Sequence, residues 1–419
     1  MKNLEINVPI ILFSILPISI ILGPSISLIN ILLFSLFFIF IYFTRKNFEI
    51  YDFKPVLFLI ILNLYLVFNS LISIEIMSGI YRNFGFLRYI LFFLMVNYIF
   101  FINEKNSNIL KIWTIVFFVV LVDVYIERFT GSNILGFGGM QEGFQPRGYR
   151  VVSFFRSEPI PGAFICGLSF IVLGYILNFL KSKKSLKLIG FLIILFCLIG
   201  IMLTGERSNG LKALIGFVIF ISIIDYVKFK NKILILIGFF VVFFLTINFS
   251  DYVKYRYIDQ LFSKIIVKEK REQFFENSLY IKLYKSGYYV FKNNPWLGVG
   301  NKNYRVETCD KEKNLIHEEY HCLTHPHQIY LEMLSEHGII GTIIIISIIF
   351  YLAFRIIRKI IDSRNYIQAG CLIFLLINFA PVLPSGAFFN NFNLNLFMIN
   401  FSLMYAINRD TNIFQKKIV

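Results

Sequence analysis

The sequence has no Walker-type phosphate loop, no Cys-x-x-Cys or His-Glu-x-x-His pattern, no internal repeat and no low-complexity tract. The first absence argues against energy from nucleotide hydrolysis, the second weakens any zinc centre, and the third disfavours the paired halves of many transporters. Charge is also scarce. Only 16% of the 419 residues are charged, against 57% apolar and 18% aromatic, a balance too apolar for a soluble domain of this length.

What is present is a series of apolar blocks, each near the roughly 20 residues needed to cross a bilayer. They fall at about 8–23, 27–43, 55–74, 84–102, 109–126, 159–179, 188–204, 209–227, 233–249, 339–354, 366–383 and 392–408. The expected fold is all-α: a polytopic integral membrane protein with about twelve transmembrane helices. Three regions follow: spans one to nine over 1–249, with arginine-bearing outer loops near 127–158 and 204–210; a large outer loop over 250–338; and spans ten to twelve with a tail over 339–419. The first block is not read as a cleavable signal, because only Lys2 precedes it, no small-residue cleavage site follows and a second span begins almost at once.

Basic residues set the orientation. With a cytoplasmic N-terminus the inner segments carry Lys2, Arg45, Lys46, Lys54, Lys105, Lys111, Lys181, Lys183, Lys184, Lys187, Lys228, Lys230, Lys232, Arg355, Arg358, Lys359, Arg364, Arg409, Lys416 and Lys417. The short outer loops carry Arg82, Arg128, Arg147, Arg150, Arg156 and Arg207. This positive-inside bias predicts that both termini are cytoplasmic; long loops such as 250–338 cross largely regardless of charge. The net charge of +16 then serves orientation and attraction to lipid headgroups, with little support for a nucleic-acid partner.

Cys166, Cys197 and Cys371 fall in spans, where a thiol behaves as a small apolar group. Cys309 and Cys322, with twelve residues between them in the outer loop, are expected to form a disulfide in an oxidising compartment, with two free thiols as the alternative. The loop reads as folded rather than as a linker. Ser278 followed by Leu279, Ile281, Leu283, Tyr284 and Tyr288 has amphipathic helical spacing, and Asn294-Pro295 ends it before the tight turn Trp296-Leu-Gly-Val-Gly300.

The chemistry is expected around Thr324-His-Pro-His-Gln-Ile-Tyr-Leu-Glu-Met-Leu-Ser-Glu-His-Gly-Ile-Ile-Gly-Thr342. Pro326 between His325 and His327 favours display of the pair on a turn, while Gly338 and Gly341 permit close packing where the following helix enters the lipid. His317, His321, His325 and His327 have spacings loosely compatible with a metal. Pro326 breaks any helix joining them, and a histidine general base suits the segment better, so no metal or cofactor is assigned. Arg150 to Gly162 and Thr204 to Gly210 place arginines on the same side, where converging guanidinium groups can hold a diphosphate. The competing reading is snorkelling to headgroups or pairing with Glu158 and Glu206. Arg88, inside a span, is a functional candidate or a paired charge, and Pro384 to Asn391 is a polar turn that lines the same cleft or merely links two spans.

These segments together resemble the bacterial O-antigen ligase family. The run His327-Gln328, nine residues, then Gly338-Ile-Ile-Gly-Thr342 is similar to its histidine signature; Asn294-Pro-Trp-Leu-Gly-Val-Gly300 resembles its Gly-rich turn; and Leu203 to Ser208 and Arg150 to Gly162 resemble its arginine-bearing loops. The resemblance implies a GT-C-like transferase of the bacterial inner membrane, with its active site facing the periplasm. Its donor is a glycan on undecaprenyl diphosphate, and its acceptor is lipid A–core or a growing glycan. It also implies that His327 is the essential histidine and that Arg150 and Arg207 bind the diphosphate. Arg156 joins them less securely, since a small residue is expected at its position, and Gln follows His327 in place of the commoner Asn. In the resulting inverting, metal-independent scheme His325 and Glu158 support the catalytic geometry. Repeat-unit polymerases and protein O-oligosaccharyltransferases share the superfamily, and a transporter of the lipid-linked glycan is the alternative from another class.

Overall fold

The computed structural model describes residues 2–44, 49–102, 107–138, 149–181, 187–225, 227–262, 272 and 278–415. Among the basic residues used for orientation, Arg45, Lys46, Lys105, Arg147, Lys183, Lys184, Lys416 and Lys417 lie outside them. The described residues form helices and loops without a strand. Those that build the frame are α1 (Lys2–Ser14), α2 (Leu16–Leu22), α3 (Pro24–Thr44), α4 (Lys54–Leu71), α5 (Ile76–Phe84), α6 (Leu87–Ile102), α7 (Ser107–Thr130), α8 (Pro161–Leu180), α9 (Lys187–Leu203), α10 (Arg207–Ile223) and α11 (Phe229–Phe249). After α12 (Asp251–Lys254) and a π-helical stretch, Tyr255–Phe262, come α13 (Leu279–Asn293), α14 (Tyr304–Cys309), α15 (Lys311–Ile316), α16 (Ile329–Phe354), α17 (Ile357–Ser363), α18 (Tyr366–Asn378) and α19 (Asn391–Ala406).

Each expected span falls on helix. Seven described stretches are long and apolar enough to cross a membrane: Pro24–Thr44, Lys54–Leu71, Ile76–Ile102, Ser107–Thr130, Pro161–Leu180, Phe229–Phe249 and Ile329–Ser363; Ile189–Leu203 and Tyr366–Asn378 are shorter apolar helices. The architecture is that of a polytopic membrane protein. The differences from the periodicity reading have local causes. The first block is broken at Ile15, where Pro17 opens a second helix. The eleventh stops at Asn378 rather than near 383, because Pro381 and Pro384 take the chain out of the helix.

The centre of the bundle is α8, which packs on α9, α18 and α19. A Cβ on Gly370 would lie 2.3 Å from the Phe170 carbonyl oxygen, so a small residue is what allows α18 to approach α8. Asn400 donates to the Gly167 carbonyl at 2.9 Å and ties α19 to the same helix.

The outer-loop motif and the histidine motif form one structural unit. The N–H groups of Val299 and Gly300 donate to the carbonyls of Ser335 and Glu336, at 2.9 and 2.8 Å, and those of Ile339 and Ile340 donate to Pro295 and Trp296, at 2.8 and 3.2 Å. This stitching requires α16 to kink at Gly338, whose φ of 63° and ψ of −170° leave the helical region. A Cβ there would lie 2.3 Å from the Trp296 main chain, so glycine meets both the dihedral and the steric demand. One turn on, a Cβ at Gly341 would overlap the Tyr65 hydroxyl at 1.6 Å.

Candidate active site

A cavity of about 1980 Å³ opens at the end of the bundle where α16 begins. It exceeds the 300–1,000 Å³ or so typical of small-molecule pockets. Its walls are divided in character. Ile20, Ile21, Pro24, Phe374, Ile377, Leu396 and Phe397 line an apolar part, and Arg150, Glu158, Arg207, Arg256, Tyr280 and His327 line a polar part.

The segment Tyr149 to Ile160 is held from below by buried carboxylates. Glu127 accepts the N–H of Val152 at 3.0 Å and that of Ser153 at 2.5 Å, and Asp123 accepts the Ser153 hydroxyl. This places Arg150 at the cavity, where its guanidinium donates to the Pro159 carbonyl at 2.6 Å. Glu158 also lines the cavity and is exposed. Arg156 is not brought in: it occupies a left-handed turn, φ 59°, is exposed and is not part of the lining.

Arg207 is the first residue of α10 and donates to the Gln260 carbonyl at 3.1 Å. Glu206 does not pair with it, because the buried carboxylate is committed elsewhere: it accepts the Gly162 N–H at the start of α8 and the Asn209 amide, both at 2.6 Å. Burial raises the Glu206 carboxyl above its ordinary range, while the nearby Arg150 charge pulls the other way. Among the described residues no ion pair joins Arg150 or Arg207 to Glu158 or Glu206. The pairing alternative for these arginines is therefore not what the structure contains.

His325 and His327 lie on a bend and not in a helix. His327 has φ 55°, and its carbonyl accepts the Ser385 N–H at 2.9 Å, joining the histidine segment to the polar turn after α18. Its ring meets Tyr280 edge to face at 6.0 Å and faces the cavity. The His325 ring packs on His327 with centroids 4.0 Å apart, accepts or donates to Thr324 at 2.9 Å, and does not line the cavity. Burial lowers the pKa of both rings; His325, with His327 as a second cause, is pushed down to about 3. A half-buried, neutral imidazole at a cavity wall has the state required of a proton acceptor.

The polar turn belongs to the site. Pro384, Ser385, Asn390 and Asn391 line the cavity, the Pro384 carbonyl accepts the Ser208 hydroxyl, and the Phe388 N–H donates to both oxygens of Glu332, at 3.0 and 3.1 Å. Arg88 is held by neutral acceptors: it donates to the Gly85 carbonyl at 2.8 Å and to the Asn391 side chain at 3.1 Å. Cys309 and Cys322 are joined as a disulfide with Cα atoms 4.5 Å apart, closing the loop just ahead of the histidines. Among the described residues no group of three or more His, Cys, Asp or Glu side chains is placed to hold a metal ion. His317 packs on Tyr320, and the His321 N–H donates to Ser286.

Three lining cations were not picked out as site residues from the sequence. Arg256 grips the Gly205 carbonyl through two nitrogens, at 3.1 and 3.0 Å, and Gln260 through a third at 2.7 Å, which braces the turn carrying Arg207. It sits in a stretch with many basic residues and no motif, so nothing in the sequence marks it. Arg82 ends α5. Lys212, inside α10, did carry a signal: an ionisable residue within a span is a functional candidate by default.

Fold and cavity thus define a polytopic, all-helical membrane protein whose large amphiphilic cavity gathers arginines and a neutral histidine at one end of the bundle. Residues 191–346 match the family model for O-antigen ligase, a stretch that contains Arg207, His325, His327, Gly338 and Gly341 but not Arg150 or Glu158. The match spans 156 of the 419 residues, and over that stretch the chain is similar to the O-antigen ligase family. No curated protein matches the chain.

Proposed function

We propose that the protein transfers a glycan from undecaprenyl diphosphate to a hydroxyl of lipid A–core at the periplasmic face of the bacterial inner membrane. The observation that carries this reading is the convergence of Arg150, Arg207 and His327 on one cavity that also has an apolar wall. In this reading the chain crosses the membrane twelve times with both termini in the cytoplasm, and residues 250–338 lie outside.

Arg150 and Arg207 hold the diphosphate, since planar guanidinium groups match phosphate oxygens and keep their charge in a low dielectric. The acceptor hydroxyl attacks the anomeric carbon from the face opposite the diphosphate. As the new carbon–oxygen bond forms, the bond to the sugar-side phosphate oxygen breaks, His327 takes the hydroxyl proton, and undecaprenyl diphosphate leaves with the electron pair. The anomeric configuration inverts. Charge that grows on the departing oxygen is stabilised by the arginines, so no metal ion is required. His325 packs behind His327 and fixes its ring, Glu158 orients the acceptor, and the Cys309–Cys322 bond restricts the approach.

Purified protein given lipid-linked glycan and lipid A–core is expected to form a new covalent product; no product in well-folded protein sinks the reading in favour of transport. A deletion strain that accumulates lipid-linked long chains beside bare lipid A–core identifies a ligase, single-repeat products a repeat-unit polymerase, and loss of glycan from protein an oligosaccharyltransferase.

A further inference from the structure

Lys212 lines the cavity yet is only 6% exposed. Among the described residues no hydrogen bond or ion pair reaches its ammonium, and the titratable side chain close enough to act on it is the thiol of Cys166 on α8. Glu206, the carboxylate at the head of the same helix, is already bound to Gly162 and Asn209. A lysine so placed cannot snorkel out of the bundle, and an ammonium without a partner in a low dielectric is costly. The space in front of it is the cavity, so an anion carried in by a ligand is placed to offset this cost.

Position narrows the ligand. The helix runs from Arg207 towards the far end of the bundle, where Asp225 just beyond it pairs with Arg364 at 3.0 Å. Five residues of α-helix at about 1.5 Å each put Lys212 roughly 7.5 Å deeper than Arg207. A diphosphate that enters tail first presents its phosphates in that order: sugar-side at the arginines, lipid-side below. We propose that Lys212 forms a second anion subsite that takes the lipid-side phosphate of a lipid-borne diphosphate. This rests on the donor chemistry under Proposed function. The lipid-side phosphate keeps the same charge before and after the sugar departs, so Lys212 acts on donor affinity and not on the chemical step, unlike Arg207.

The test is equilibrium binding of a polyprenyl monophosphate to the purified full-length protein. A monophosphate lacks the sugar-side group and relies on the deeper subsite. Lys212→Met, of similar length without the charge, is expected to bind it roughly 10- to 100-fold more weakly than wild type, the range for loss of one charge-assisted hydrogen bond. Lys212→Arg is expected to restore most of the affinity, and Arg207→Ala to bind the monophosphate within about threefold of wild type while losing affinity for the diphosphate. Should Lys212→Met fail to fold, Lys212→Gln serves instead. Unchanged monophosphate affinity in either neutral variant overturns the subsite. Equal, Lys212-dependent binding of phosphatidylglycerol reassigns it to a bulk lipid headgroup, and equal binding of inorganic phosphate to a site without lipid selectivity; both overturn the proposal. If wild type binds neither the monophosphate nor the diphosphate, the donor assignment itself falls.

Discussion

The two ends of the helix bundle treat charge in opposite ways. At the end where α16 finishes, Arg355 pairs with Asp52 at 3.0 Å, Arg364 pairs with Asp225, and Asp225 also accepts the Tyr366 hydroxyl. The C-terminal segment seals this end: Ile413 and Phe414 are buried, and the Ile413 carbonyl accepts the N–H groups of Tyr51 and Asp52, at 3.0 and 3.1 Å. At the end where α16 begins, Arg150, Arg207 and Lys212 face a large cavity and none of them is in an ion pair among the described residues, while Glu127, Glu206 and Glu332 are bound to main-chain N–H groups. Charge that is neutralised internally contributes to the frame; charge left facing a cavity is available to a ligand. The same residue types therefore have different work at the two ends.

The sharpest way to break this comparison is at His327. His327→Ala is expected to lower turnover by roughly 100-fold or more, with donor affinity little changed, because a proton acceptor acts in the transition state; near-normal transfer by folded protein would move the chemistry to His325 or Glu158. Arg207→Ala should lose about 10-fold or more in both donor affinity and turnover, with lysine rescuing only in part because the planar fork is gone. Parallel titration of donor and measurement of kcat separate the two outcomes.

At the sealed end the effect should fall on stability alone. Arg355→Ala leaves the buried Asp52 carboxylate without its partner and is expected to cost on the order of 2–3 kcal/mol, less than a fully buried pair because Arg355 is partly exposed. Thermal unfolding in detergent checks this, and a kcat that falls as far as the stability would erase the distinction between the ends.

A smaller effect follows from pH. His327 is held below the ordinary histidine pKa by burial, so it stays neutral as pH falls through about 6.5, and kcat/KM is expected to hold there and decline only at more acid pH. The linked stability has the same sign. Groups with a depressed folded pKa contribute stability that is fully present above the unfolded value of about 6.5 and lost as pH falls toward the folded one, which for His325 is about 3. An acid limb centred near 6.5 would place the histidine in water. The smallest expected change is none: transfer should survive chelation, and activity lost in chelator and restored by zinc or manganese would turn the histidine cluster into a metal site.

Much of this organisation was legible from composition and spacing. Apolar blocks locate the helices because a bilayer imposes their length, and His327, Arg150 and Arg207 stand out because each lies in a polar segment between such blocks, the first in the large outer loop and the last in a brief turn. What could not be read was the pairing between distant segments. Nothing in the local sequence says that Glu206 is occupied by α8, that Arg156 points away from a cavity Arg150 faces, or that Arg256 braces the turn bearing Arg207, because these depend on contacts between helices far apart in the chain. Arg88 and Lys212 look alike as lone basic residues in apolar helices; only packing shows that the first has Asn391 and the second has open space.

The seam between Pro295–Gly300 and the kink at Gly338 also bears on engineering. Four main-chain hydrogen bonds lock two segments that are about forty residues apart in the chain, so the outer region cannot be exchanged as a free insert. A chimera cut between 301 and 328 would pair a foreign turn with a native kink and lose register on both sides. A graft of 278–342 keeps the histidine bend, the disulfide and the kink together, and it must also keep Asn69, which accepts the Asn301 N–H, and Ser385, which donates to the His327 carbonyl.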